Sequence, residues 1–155
     1  MKKRFAPYRI SLKILLRSRD RVLFLKTANG KFWDLPGGRI DNTESAVSLE
    51  NILDREIREE LRKNIKYELD GIVFVYRKPV MQKQYPTLLV VYGGEYLSGN
   101  IRLSPEHSRY AWLIAANFEP KKHDFMYSEE YLAFKNYFGN HQWGKRINRP
   151  YLADR

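Results

Sequence analysis

The glutamates of Arg55-Glu56-Ile57-Arg58-Glu59-Glu60 are the residues best placed to do chemistry together. A helix turns about 100° per residue, so on a helix Glu56, Glu59 and Glu60 fall within an arc of roughly 100°. Like charges at i,i+4, such as Glu56 and Glu60, cost about 0.2–0.5 kcal/mol in an isolated helix. A hard divalent cation such as Mg²⁺ or Mn²⁺ would turn that repulsion into attraction, because these ions take oxygen ligands. The apolar stripe Leu53, Ile57, Leu61 is centred roughly 100° away, so the helix can face a core on one side and present acids to a cleft on the next. A solvated helix would look similar, since Asp54–Arg58, Arg55–Glu59 and Glu59–Lys63 are all opposite-charge pairs at i,i+4.

Upstream stands Leu35-Pro36-Gly37-Gly38, followed after five residues by Glu44. Together with Arg55-Glu56-Ile57-Arg58-Glu59-Glu60 this resembles the box of the Nudix hydrolase family (MutT-like), and Trp33-Asp34 resembles the usual lead-in. Two positions depart from the family pattern. Ten residues separate Glu44 from Arg55 where seven are usual, and Arg62 stands where the box has glycine. The longer spacing has two readings. Ser48 caps the helix and Glu44 lies in a loop lengthened by three residues, or the helix starts a turn earlier at Thr43 or Ser45. Either way the usual support of Arg55 by Glu44 is in question. Asn64 is a second candidate for the left-handed cap that the missing glycine would supply.

The resemblance implies an α/β fold, an α/β/α sandwich with a mixed β-sheet, and hydrolysis of phosphoanhydride bonds. The expected substrate is a nucleoside diphosphate linked to another moiety, and the expected cofactor is Mg²⁺ or Mn²⁺. Carried over by position, the metal site is Glu56, Glu59 and Glu60 with the Gly38 carbonyl region. The catalytic set is Glu59, Glu56, Arg55 and Glu106, with Arg55 orienting the glutamates and the choice of general base left open. Glu106 belongs to Glu106-His107-Ser108-Arg109-Tyr110-Ala111-Trp112, which resembles a late Glu-His-x-x-x-x-Trp stretch of the family; Glu95 is its rival. His107 reads as an orienting or packing residue. Trp33, Arg77 and Arg109 are the substrate-binding candidates, although Trp33 reads more readily as a core aromatic. Two further readings stay open: a Nudix-fold module that binds nucleotide or RNA without catalysis, and an RNA-directed pyrophosphohydrolase.

The rest of the chain bounds these readings. Its 155 residues suffice for one domain, residues 1–155, with a basic, aromatic C-terminal extension from about residue 139. The absence of cysteine excludes thiol chemistry and disulfides. The net charge of +10 favours anionic partners: a nucleotide-type small molecule first, RNA second. Basic residues gather in the first 21 positions and in Lys145-Arg146-Ile147-Asn148-Arg149, near His141, Trp143 and Tyr151, which are suited to stack a base or to pack as an extension. No apolar run reaches the roughly 18 residues of a membrane span. No signal peptide is recognised, and a cytoplasmic location is the default expectation.

The elements that must position the site follow from periodicity. Ile10, Leu12, Ile14 and Leu16 alternate as in a half-buried strand. Residues 21–26 form a second strand before a turn at Asn29-Gly30, and 32–35 a short extended piece stopped by Pro36-Gly37-Gly38. The box helix covers 48–63, strands cover 72–76, 87–92 and 110–113, and Gly93-Gly94 suggests a bulge. Ser128 caps a last helix over 129–138, ended by Gly139-Asn140. Residues 79–86 form a polar loop.

Overall fold

The computed structural model describes residues 1–79, 85–141 and 143. Its elements in chain order are β1 (Arg9–Ser18), β2 (Arg21–Thr27), β3 (Trp33–Asp34), β4 (Gly37–Arg39), α1 (Leu49–Leu61), β5 (Lys66–Lys78), β6 (Thr87–Ser98), β7 (His107–Ile114) and α2 (Ser128–Asn140). The described residues form a seven-stranded mixed sheet. β1 lies at its centre. It pairs in parallel with β6 and antiparallel with β4 and with the start of β2. β2 pairs with β7 along one edge and with β3 along the other, while β5 extends the sheet beyond β6. β1 and β2 therefore part after Arg17–Val22, and the segment from Trp33 to Arg39 fills the wedge between them.

The two helices cover opposite faces, giving the expected α/β/α sandwich. Leu12, Ile14 and Leu16 of β1 pack with Leu23 and Leu25 beneath Ile52, Leu53, Ile57 and Leu61 of α1. Leu15, Val22, Phe24 and Val91 pack on the other face against Phe134 and Phe138 of α2. Burying each such side chain contributes about 1.5–3 kcal/mol. Helices on both faces change the reading of β1. It is not half-buried: residues 11–16 are all buried, Lys13 included. Ser48 does cap α1, accepting the Asn51 amide at 3.3 Å.

Other boundaries moved. The extended piece does stop before Pro36, at Asp34, but Gly37 and Gly38 open a new strand, Gly37–Arg39, paired on Ser11–Lys13. β5 and β6 run well past the apolar cores 72–76 and 87–92, and one of the register breaks between them lies opposite Gly93 and Gly94, with the extra residue on β5. Ser128 is the first residue of α2 rather than its cap, and Gly139 and Asn140 remain inside that helix. Among the described residues no helix is long and apolar enough to cross a membrane. Trp143 stacks on Phe138 with centroids 5.1 Å apart, so this part of the basic tail packs on α2. The remainder of the tail and residues 80–84 of the polar loop lie outside the described residues.

Candidate active site

The apolar stripe of α1 fixes which way its acids point. With Leu53, Ile57 and Leu61 in the core, Glu60 turns under the wedge and Glu56 toward its rim, while Glu59 remains exposed. Glu60 is 4% exposed and its Oε2 accepts the Gly37 amide at 2.8 Å. Glu56 fits beneath Gly38 so closely that a Cβ there would stand 2.3 Å from its carboxylate and would displace it. Gly37 has φ +128°, again a glycine conformation.

Arg55 ties the acids together. Its Nη1 donates to Glu59 at 3.0 Å and its Nη2 to Glu56 at 2.8 Å. Its Nε and Nη2 also grip Glu44, at 2.5 and 3.0 Å. The longer spacing has therefore not cost the support of Arg55. Asp41 starts a short 3₁₀ turn over Asn42–Glu44 in which its side chain accepts the Thr43 amide and Glu44 accepts the Asp41 amide, a capping box. That turn aims Glu44 at the helix, and the extra residues Ser45, Ala46 and Val47 loop out into solvent.

Electrostatics separates the acids. Burial pushes Glu60 up to about 7, against the pull of the Lys13 ammonium and the Gly37 amide. Burial also raises Glu56, against Arg55. Among the described residues no group of three acidic or histidine side chains is gathered tightly enough to hold an ion by itself, since Arg55 lies between Glu56 and Glu59. Two surface cavities flank this centre, and Arg55 lines both. One, of about 1020 Å³, has Glu56 and Glu44 in its wall with Tyr8 and Tyr85. The other, of about 1000 Å³, has Glu59.

The architecture is shared with solved structures. A MutT protein from Methanosarcina mazei Go1 superposes with a TM-score of 0.64 over 87% of this chain and 96% of that one, at 24% identity. A MutT NUDIX hydrolase from Burkholderia pseudomallei superposes with a TM-score of 0.65 over 83% and 97%, at 22% identity. The chain has the fold of these Nudix proteins. A 71-residue stretch is also 38% identical to a candidate 8-oxo-dGTP diphosphatase of Bacillus subtilis (strain 168). That stretch spans 46% of this chain and 44% of the Bacillus protein, less than half of either. No family model matches the sequence.

None of the other candidate residues lines either cavity. Trp33 packs edge-on against Phe24, 5.7 Å between centroids, with the Lys26 ammonium 3.8 Å above its ring. Arg77 pairs with Glu129 of α2 at 2.7 Å, and Arg109 is exposed on β7 opposite Lys26. Glu106 is exposed at the turn into β7, and Glu95 lies in β6 opposite Arg17 and Glu68. His107, beside Glu106, is the residue turned inward, with Nε2 3.5 Å from Asp34.

Two positioning residues escaped the sequence reading. Lys13, buried in β1, donates to Asp34 and to the Leu35 and Gly37 carbonyls, the last two at 3.0 Å. It thereby pins the backbone on which Glu60 rests. Burial would raise Asp34, but Lys13 and His107 hold its carboxyl far below the usual range. Burial would lower Lys13, but Asp34 and Glu60 outweigh it and raise the ammonium. The available signal was a lysine within an otherwise apolar strand core, followed by an aspartate just before the Pro-Gly-Gly turn.

Proposed function

We propose that the protein is a Mg²⁺- or Mn²⁺-dependent pyrophosphohydrolase acting on a nucleoside diphosphate linked to another group. One observation carries the reading: Glu56 and Glu60 are held under the Gly37-Gly38 backbone, both raised by burial, beside an arginine anchored from outside the helix. Acids of raised pKa have more negative charge than their surroundings balance, and a cation would supply the balance. The donors are all oxygens, which fits a hard divalent ion. Glu56, Glu59 and Glu60 with the Gly38 carbonyl would hold it. When bound, it would neutralise phosphoryl oxygens and acidify water.

The chain's own groups do the rest. Glu44 fixes Arg55, and Arg55 sets the rotamers of Glu56 and Glu59. Lys13 and Glu60 fix the glycine backbone on both sides, so an anhydride would meet preorganised groups rather than a loop. Water attacks one phosphorus and the other phosphate departs. The name of the Bacillus subtilis relative supports a nucleotide as the substrate class.

The test is turnover of a panel of nucleoside triphosphates, nucleoside diphosphate sugars and dinucleoside polyphosphates, with and without Mg²⁺ or Mn²⁺, products identified by mass. The expected result is metal-dependent cleavage of a phosphoanhydride, with Glu59→Gln lowering kcat/KM about a hundredfold or more. Absence of metal-dependent turnover on the whole panel would leave a binding module instead.

A further inference from the structure

Where the box has glycine, this chain places a residue its backbone does not suit. Arg62 ends α1 at φ +88° and ψ 159°, a region that glycine enters freely and a side chain resists. The family resemblance places glycine here. An arginine kept in such a conformation points to a use for its side chain.

Its surroundings supply the use. Arg62, Lys63 and Arg102 line the cavity of about 1000 Å³ that also reaches Glu59 and Arg55. The Arg102 amide donates to the Leu61 carbonyl at 3.3 Å, and the Ser104 amide to the Glu60 carbonyl at 3.0 Å. Those bonds fasten the 102–104 segment to the helix end and set Arg102 beside Arg62. The acids in the cavity wall are already engaged: Asp54 takes Arg58 at 2.6 Å and the Tyr67 hydroxyl at 3.0 Å, and Glu59 takes Arg55 at 3.0 Å. Among the described residues, Arg62, Lys63 and Arg102 have no ion pair and no side-chain hydrogen bond. What remains is an uncompensated cationic wall continuous with the acidic centre. Guanidinium forks match phosphate oxygens bidentately.

We propose that this cavity is a second phosphate site, taking the phosphates that lie beyond the scissile anhydride. It rests on the pyrophosphohydrolase reading and sharpens it: the substrate class is a nucleotide bearing a chain of more than two phosphates. Tyr8 and Tyr85 in the other cavity offer aromatic surface for the nucleoside end, with Arg55 between the two.

The experiment is calorimetric titration of the full chain in EDTA with inorganic tripolyphosphate and, separately, orthophosphate. Wild type, Arg62→Gly, Arg62→Lys and Arg102→Gln are compared, with melting curves for each. Arg62→Gly and Arg102→Gln each weaken tripolyphosphate about tenfold, the loss of one charge-assisted contact, while Arg62→Lys weakens it by less, since an ammonium keeps the charge but not the fork. Orthophosphate stays weak throughout. Arg62→Gly melts above the wild type, because glycine adopts this conformation without strain, so lost binding in that variant is not lost folding. With substrates, KM rises more for nucleoside triphosphates than for nucleoside diphosphate sugars. Unchanged tripolyphosphate affinity in both charge-removing variants overturns the site, and an equal fall for orthophosphate overturns its preference for a chain. Nucleotide turnover with unchanged affinities keeps the hydrolase and removes the site; loss of tripolyphosphate binding in a protein that turns over no nucleotide keeps the site and removes the hydrolase.

Discussion

Asp34, half-buried, and Glu60, buried, are acids with the same two neighbours, Lys13 and His107, yet they are driven in opposite directions. Asp34 meets the Lys13 ammonium at 3.1 Å and hydrogen-bonds His107, and its carboxyl falls far below the ordinary range. Glu60 feels the Lys13 ammonium only through space, accepts a single backbone amide, and rises to about 7. The sign of the shift depends on contact rather than burial. A buried acid with its own cation is a structural tie. A buried acid without one keeps unspent charge, and such acids are found where a protein binds or reacts.

Breaking the tie should have the largest effect. Lys13→Met leaves Asp34 without its ammonium partner and is expected to cost about 3 kcal/mol in urea unfolding, while adding Asp34→Leu should restore most of that. A single-variant cost near that of an ordinary surface change would show that the tie is not structural.

Glu60→Gln tests the other acid. Its folded pKa lies above its unfolded value, so the native state binds the extra proton between about pH 4.5 and 7. Its contribution is thus full at low pH and lost as pH rises through about 7, the reverse of Asp34, whose contribution is lost only in acid. Metal-free wild type should melt lower at pH 8 than at pH 5, and Glu60→Gln should remove about 2–3 kcal/mol of that slope. Parallel pH profiles for the two proteins would contradict the assignment.

The smallest of the three effects is expected from Glu44→Gln. It loosens Arg55 without touching Asp34 or Glu60, and kcat/KM should fall about tenfold with little change in melting temperature. Wild-type kinetics would mean that the grip on Arg55 is idle.

What the sequence disclosed was what repeats locally. The stripe Leu53, Ile57, Leu61 and the Ser48 cap located α1 and the direction of its acids. Counting residues between Glu44 and Arg55 misled, because a chain measures distance in turns as well as in residues. Asp41-x-x-Glu44 is itself a capping-box pattern, and it folds the surplus out of the way. Lys13 was hidden for another reason. Its position in an alternating strand reads as solvent-facing until a second helix is known to cover that face, and α2 lies more than a hundred residues away in sequence. Long-range coverage of this kind leaves no local periodic mark. Asp34, Lys13 and His107 come from three strands and meet only once the sheet is assembled.

The parallel ladder of β1 governs when that assembly occurs. Arg9 finds Thr87 and Arg17 finds Glu95, so β1 leaves the ribosome long before its main partner is made. At synthesis rates of about 5–20 residues per second, its apolar core waits for seconds as an open edge. Contacts this distant in sequence also form slowly in a refolding chain. Lys13 and Arg17 interrupt the run Ile10–Leu16 and its end, and charges inside an exposed strand discourage pairing with other nascent copies. The lysine that later anchors the glycine backbone is thus, during synthesis, a guard against aggregation.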